Sequence, residues 1–195
     1  MSDSSQLHAI VGLGNPGSEY ERTRHNAGFW FVDRLAERLG GSFRREAKFH
    51  GEMARVRIGG HDVVLLKPST FMNRSGQAVQ ALATFYKIAA VDILIAHDEL
   101  DLPCGSVRLK LGGGHGGHNG LRDVHRALGD GYRRLRIGIG HPGDKTLVLN
   151  YVLGRPGRDD EGAIRDAIDQ SADAVEVWLE RGWDRAITQL HTHNK

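Results

Sequence analysis

Polar residues capable of chemistry stand where apolar runs end. Asn15 follows "HAIVGLG" (8–14), Asn73 follows "VVLLKPSTFM" (63–72), Asp98 follows "DILIAH" (92–97), and His118 and Asn119 follow the glycine-rich "LGGGHGG" (111–117). In open α/β sheets, sites form beyond the carboxyl ends of strands, so four strand ends could bring these residues to one pocket. His25 adds a base. It lies just before a predicted helix start, whose positive end disfavours imidazolium, so the ring is expected to be neutral near pH 7 and able to take a proton. Asp98 is the carboxylate that would hold its tautomer. G-x-S-x-G and H-E-x-x-H are both absent, which leaves attack by an activated water as the natural chemistry. Plainer uses exist: a histidine at a helix start can be a cap, and an asparagine at a loop end can shape a turn. Spacing alone leaves a hydrolase of unspecified substrate.

The elements that must position these residues alternate between strand and helix. "HAIVGLG" reads as a buried strand. "NAGFWFVDRLAERLGG" reads as a helix with Phe29, Val32, Leu35, Ala36 and Leu39 on one face, Asn26 as N-cap and Gly40-Gly41 as stop. "GEMARVRIGGHDVVLLKP" gives two strands joined at Gly59-Gly60, and "SGQAVQALATFYKI" a second helix. "DILIAHDEL" and "GSVRLKLGG" are strands, "NGLRDVHRALG" a short helix and "RLRIGIG" a strand, before a helical stretch over 160–192 that breaks near Gly182. The expected fold is α/β: one domain over 1–195, a three-layer sandwich in which helices cover both faces of a mixed, twisted β-sheet. Hairpin-like strands near Gly59 and Cys104 suggest the mixing.

Composition limits the classes. The chain has 195 residues, 39% hydrophobic and 26% charged, a balance of ordinary globular proteins. No apolar run reaches membrane-spanning length, and "MSDSSQLH" has no signal-peptide character. A single cysteine, Cys104, excludes an internal disulfide and fits a reducing compartment, so the expected location is the cytoplasm. The formal net charge of +2 hides an asymmetry: residues 1–158 hold 22 Lys/Arg against 15 Asp/Glu (+7), and residues 159–195 hold 4 against 9 (−5). A basic body suits a polyanionic partner, and it also suits many enzymes with phosphorylated substrates.

Other motifs fit less well. "GLGNPG" (12–17) is G-x-G-x-x-G after a strand, but Pro16 and "SEYERTRH" delay the helix to about Asn26, where a dinucleotide fold would open it inside the motif. "GIGHPGDKT" places Asp144 between Gly143 and Lys145, out of register for a phosphate cradle. His115 and His118 have a possible metal spacing but no Cys or acidic cluster nearby, so no metal is expected. A nucleotide-dependent oxidoreductase and a non-catalytic RNA-binding module remain as alternatives; NAD titration separates the first and an intact ester the second.

Four longer stretches carry a resemblance: "VGLGNPGSEYERTRHNAGF" (11–29), "KPSTFMNRSGQAV" (67–79), "HDELDLPCGSVRLKLGGGHGGHNGLRD" (97–123) and "YRRLRIGIGHPGD" (132–144). Together they resemble the bacterial peptidyl-tRNA hydrolase family. The resemblance implies a monomeric, cofactor-free α/β hydrolase that cleaves the ester between a peptide and the 3′-terminal ribose of tRNA. It implies peptidyl-tRNA as partner, with no metal and no membrane. On this resemblance His25 is the catalytic base, held by Asp98. Asn15, Asn73 and Asn119 line the site, with Asn119 positioning the water. Tyr20 and Phe71 meet the substrate end, His118 stands at the pocket mouth, and Arg108, Lys110 and Arg136 meet phosphates.

Two expectations follow. The glycine run "LGGGHGGHNG" would let RNA and peptide backbone come close and expose N–H groups to an anion. Asn15 would read the peptide amide, its carbonyl accepting from N–H and its amide donating to C=O, and so separate peptidyl-tRNA from aminoacyl-tRNA.

Overall fold

The computed structural model describes residues 6–193. Seven strands form one sheet: β1 (His8–Gly12), β2 (Arg44–Glu46), β3 (Gly51–Ile58), β4 (His61–Pro68), β5 (Ile93–Glu99), β6 (Val107–Leu111) and β7 (Arg133–Gly138), in the spatial order β2-β3-β4-β1-β5-β7-β6. The central strands β4, β1, β5 and β7 run parallel. The outer strands β3 and β2 on one side, and β6 on the other, are antiparallel to their neighbours. The sheet is therefore mixed, as expected, although β5 and β6 on either side of Cys104 do not form a hairpin: β7 lies between them.

Strand alternation divides the core into two layers. Ile10, Leu65, Leu94, Ala96, Leu135 and Ile137 face α1 (Ala27–Leu39), α5 (Arg158–Arg181) and α6 (Trp183–His193). Ala9, Val11, Val64, Leu66, Ile93 and Ile95 face α2 (Ser75–Tyr86) and α3 (Asn119–Leu128). Fully burying one such side chain contributes about 1.5–3 kcal/mol, so strands apolar on both faces belong at the centre. The edge strand β6 is covered by α6, whose His191 Nε2 accepts the Leu109 N–H at 3.1 Å, which removes a donor that would otherwise template pairing.

Most elements lie where the sequence places them, including the stop at Gly40 (φ 73°) and the break at Gly182. The short strand β2 and the five-residue α4 (Val148–Val152) carry too little periodicity to be read in advance. In "GLGNPG" the chain leaves β1 into a 3₁₀ turn (Ser18–Tyr20), then another (Arg24–Asn26), before α1 starts at Ala27. No helix opens inside the motif, so the dinucleotide geometry is missing.

The approach of α1 to the sheet is unusually close. A Cβ on Gly28 would lie 2.4 Å from the Ala96 carbonyl oxygen and 2.6 Å from the Leu13 backbone nitrogen; one on Gly12 would lie 2.2 Å from the Gly28 carbonyl oxygen. Two glycines therefore let the helix start sit against the ends of β1 and β5, and His25 sits just ahead of that start. Gly28→Ala is expected to cost about 1–3 kcal/mol by overpacking, a fall in melting temperature of roughly 2–4 °C per kcal/mol for a chain of this size. Thermal unfolding of the variant checks it.

Candidate active site

Asp98 ends in a position where water scarcely reaches it. The residue is 3% exposed, and both carboxylate oxygens accept from imidazoles: Oδ2 lies 2.9 Å from His25 Nδ1 and Oδ1 lies 2.8 Å from His118 Nε2. The tautomers follow from the partners. His118 Nδ1 accepts from the N–H groups of Gly120 (3.1 Å) and Leu121 (3.2 Å) as the N-cap of α3, so its proton is on Nε2 and is donated to Asp98. His25 donates Nδ1–H to the carboxylate, which leaves the Nε2 lone pair available.

Burial alone would raise the Asp98 pKa, but the facing His25 and His118 rings outweigh it and hold the carboxyl well below the usual carboxylate range. For His25 the largest influence, burial, works against the charged ring; the charge and hydrogen bond of Asp98 together exceed it, and the pKa is raised above the ordinary 6.5. This corrects the expectation drawn from the helix start: the carboxylate, not the helix end, sets the net direction. Behind the pair, His97 is buried, donates Nδ1–H to the Asp98 carbonyl at 2.9 Å, and packs edge-on to the His118 ring at 5.2 Å. Burial, first, and the neighbouring His118 push its pKa down to about 3, so it stays neutral.

Asn15 is tied into a second knot. Its backbone N–H donates to Asn26 Oδ1 (2.9 Å), its carbonyl accepts from Asn26 Nδ2 (3.0 Å), and its side-chain Oδ1 accepts the Met72 N–H (2.7 Å). Asn26, read from sequence as a helix cap, makes no side-chain cap bond; it clamps the Asn15 turn instead. The Asn15 side-chain oxygen already serves Met72, so the expectation that it accepts from a substrate N–H is revised: the Nδ2 donor is the group left for a ligand. Met72 immediately precedes Asn73, which is exposed.

The segment bearing His25 is held on its outer side as well. The Arg24 N–H donates to the Gly154 carbonyl (3.0 Å), Arg24 Nη1 donates to the Tyr151 carbonyl (2.9 Å), and the guanidinium lies 3.9 Å from the centre of the Tyr151 ring. Nothing in the spacing of the sequence distinguishes Arg24, Asn26 or Met72 in advance, because their work depends on partners 11 to 127 positions away.

Of the expected site residues, His25, Asp98 and His118 form one bonded group, and Asn15 joins the loop of Asn73. Asn119 is the first residue of α3 and is exposed. Tyr20 and Phe71 meet edge to face at 6.4 Å, with Phe71 57% exposed. Arg108 and Lys110 on β6 pair in register with Arg136 and Arg134 on β7, so all four lie on one face of the sheet edge. Arg136 does not stand free: its Nε donates to Glu99 Oε1 at 2.8 Å. His118, expected at the pocket mouth, has both ring nitrogens engaged within the protein.

His25, Asp98 and His118 also form the one group among the described residues whose ligand atoms, all within 4.8 Å of one another, could hold a metal ion. The hydrogen bonds already account for that convergence, since each ring aims a proton at the carboxylate.

A buried carboxylate holding an imidazole with one free nitrogen, on a wide mixed sheet and without an adjoining nucleophile motif, is an arrangement chemically able to activate water, as a hydrolase of that class would require. The chain belongs to the peptidyl-tRNA hydrolase family, whose model matches residues 9–195. A peptidyl-tRNA hydrolase of Neisseria meningitidis is 56% identical over 190 residues, covering 97% of this chain and 99% of that one. One of Halorhodospira halophila is 58% identical over 183 residues, covering 93% and 94%. The crystal structure of the Acinetobacter baumannii peptidyl-tRNA hydrolase superposes with a TM-score of 0.91 at 51% identity, covering 97% of this chain and 96% of that chain.

His118→Ala removes both an N-cap and one of two donors to a buried carboxylate. The cap is worth about 0.5–2 kcal/mol and an unsatisfied buried acceptor about 1–3 kcal/mol, so a loss of roughly 2–4 kcal/mol in urea unfolding is expected. His118→Asn, which can still cap α3, should recover part of it.

Proposed function

We propose that the chain hydrolyses the ester joining a peptide to the 3′-terminal ribose of tRNA, with His25 as general base and Asp98 as the group that fixes its tautomer. His25 Nε2 takes a proton from water as the water oxygen attacks the ester carbonyl. The tetrahedral intermediate then collapses, expels the ribose oxygen, and that oxygen recovers the proton from His25. The observation that carries this reading is the 2.9 Å contact between His25 Nδ1 and Asp98 Oδ2 inside a site whose family acts on this substrate. Asn119 positions the water. Asn15 Nδ2 donates to the carbonyl of the peptide or to the developing oxyanion, and Asn73 lines the same side. The Tyr20–Phe71 ring pair offers a stacking surface for the terminal base, and Arg108, Lys110 and Arg136 face backbone phosphates. No cofactor or metal takes part. Among the described residues no helix is long and apolar enough to cross a membrane, and the reading places a monomer in the cytoplasm, where translation supplies its substrate.

His25→Ala should lower turnover of N-acetylaminoacyl-tRNA by roughly 10²–10⁴-fold with the fold intact, the usual worth of a positioned base; near-normal turnover in a folded variant removes His25 from the mechanism. The neutral ring is the active form and its pKa is raised, so kcat/KM should rise with pH along a limb centred above 6.5. In Asp98→Asn the charge that raises it is gone while burial stays. The limb should move to lower pH and the plateau should fall, by up to about 10⁴-fold where the wrong tautomer dominates. A limb unmoved by that substitution would show that another group titrates.

Asn15→Asp keeps an oxygen for the Met72 N–H but loses the Nδ2 donor and adds a charge at a position 7% exposed. It should slow cleavage of N-acetylaminoacyl-tRNA and narrow its lead over the free-amino substrate. The two substrates assayed side by side at fixed salt decide it, and an unchanged ratio in a folded variant leaves Asn15 as a turn residue only.

A further inference from the structure

The glycine loop that precedes α3 is tied down from beneath by an arrangement the reaction itself does not require. Three consecutive carbonyls are held by side-chain donors: Arg134 Nη2 donates to Gly112 O (2.9 Å), His125 Nε2 to Gly113 O (3.0 Å) and Arg134 Nη1 to Gly114 O (2.7 Å). His125 is itself braced: with its proton on Nε2, its Nδ1 accepts from the Tyr132 hydroxyl at 2.7 Å.

With these carbonyls turned inward, the N–H groups of Gly113, Gly114 and Gly116 have no acceptor among the described residues. Gly112, Gly113, Gly116 and Gly117 all have positive φ (73°, 103°, 58° and 80°), and runs of N–H groups in such turns form concavities that favour anions.

A second, independent observation lies directly beneath the same loop. Arg134 is 4% exposed, its Nε has no partner, and no carboxylate pairs with it among the described residues. A buried guanidinium answered only by neutral carbonyls is costly, and burial indeed pulls its pKa down. Lys110 converges on the same spot: a methyl placed on Gly113 would lie 2.5 Å from Arg134 Nη2 and 2.9 Å from Lys110 Nζ. Two cations thus meet where only a glycine leaves room, and a bound anion would complete the set.

We propose that Arg134 and His125 are positioning residues that hold the loop of Gly112–Gly117 as a preformed cradle for one backbone phosphate of the tRNA, with Lys110 as its charged wall. The proposal rests on the tRNA substrate of the preceding section and adds to it the residues that build the phosphate seat. It also ties that seat to the chemistry, because the same loop runs directly into His118 and Asn119.

The test separates position from charge. Arg134→Lys keeps the positive charge but loses the planar guanidinium fork whose two Nη groups reach Gly112 and Gly114 at once. His125→Leu removes the donor to Gly113, and His125→Gln keeps an amide N–H able to replace it. For each folded variant, Kd for uncharged tRNA, KM and kcat for N-acetylaminoacyl-tRNA, and kcat/KM for a short N-acetylaminoacyl CCA fragment are measured at fixed salt. Arg134→Lys and His125→Leu should raise Kd and KM roughly tenfold, about the worth of one hydrogen bond to a charged group. Their loss on the full substrate should exceed the loss on the fragment at least fivefold, and His125→Gln should recover most of the affinity. Wild-type Kd and KM in both Arg134→Lys and His125→Leu overturn the proposal, as do equal losses on tRNA and fragment, which would mark a purely structural brace. A wild-type chain that binds tRNA without cleaving its ester overturns the hydrolase reading instead, and the Kd comparison still decides the cradle.

Discussion

A carboxylate kept charged at 3% exposure is the constraint on which the site depends. Leaving such a charge unpaired would cost several kcal/mol, so the surroundings must answer both oxygens. The answers come from opposite sides of the sheet. His25 arrives from the segment ahead of α1, and His118 from the cap of α3. Each donor is held in turn: His118 by two α3 N–H groups, and His25 by the close seating of α1 on Gly12 and by Arg24 against α4. The His25–Asp98 pair is thus the end of a chain of structural obligations, and a free nitrogen on His25 is what remains when they are met.

The same logic explains the division of the glycine-rich segment. Its first part is fixed through its carbonyls by Arg134 and His125, and its last residue before α3 is His118, fixed through Asp98. A loop of so many glycines would lose much conformational entropy on ordering. Side-chain donors to the carbonyls of Gly112, Gly113 and Gly114 offset part of that cost, and Asn119 is left exposed. In the proposed function, RNA contact and ester chemistry share this one segment, which gives binding of the tRNA body a physical route to align the reacting end.

Much of this was legible in the sequence. The order of strands and helices followed from periodicity and from Gly40, Gly59-Gly60 and Gly182, because those signals are local. The positions of Asn15, His25, Asp98 and His118 at strand and helix ends pointed to one site, because α/β sheets gather such ends. What sequence could not supply was who bonds to whom. Asn26 looked like a cap and proved to be a clamp on Asn15; the Asn15 oxygen looked free and serves Met72; Arg136 looked like a bare cation and is shared with Glu99. The direction of the His25 pKa also lay beyond local reading, since the Asp98 charge that decides it comes from 73 positions away. Arg134 and His125 carried no signal, because a buried arginine that holds loop carbonyls has the same spelling as one that faces solvent.

The central claim is that Asp98 sets the tautomer of two histidines in opposite senses, leaving Nε2 free on His25 and Nδ1 engaged on His118. Nitrogen NMR of protein labelled at histidine, recorded across a pH titration, reads both ring nitrogens of each residue directly. The account predicts that neutral His25 carries its proton on Nδ1, that neutral His118 carries it on Nε2, and that His25 titrates above 6.5. Finding the His25 proton on Nε2 in the neutral form, or a His25 midpoint below 6.5, would contradict it.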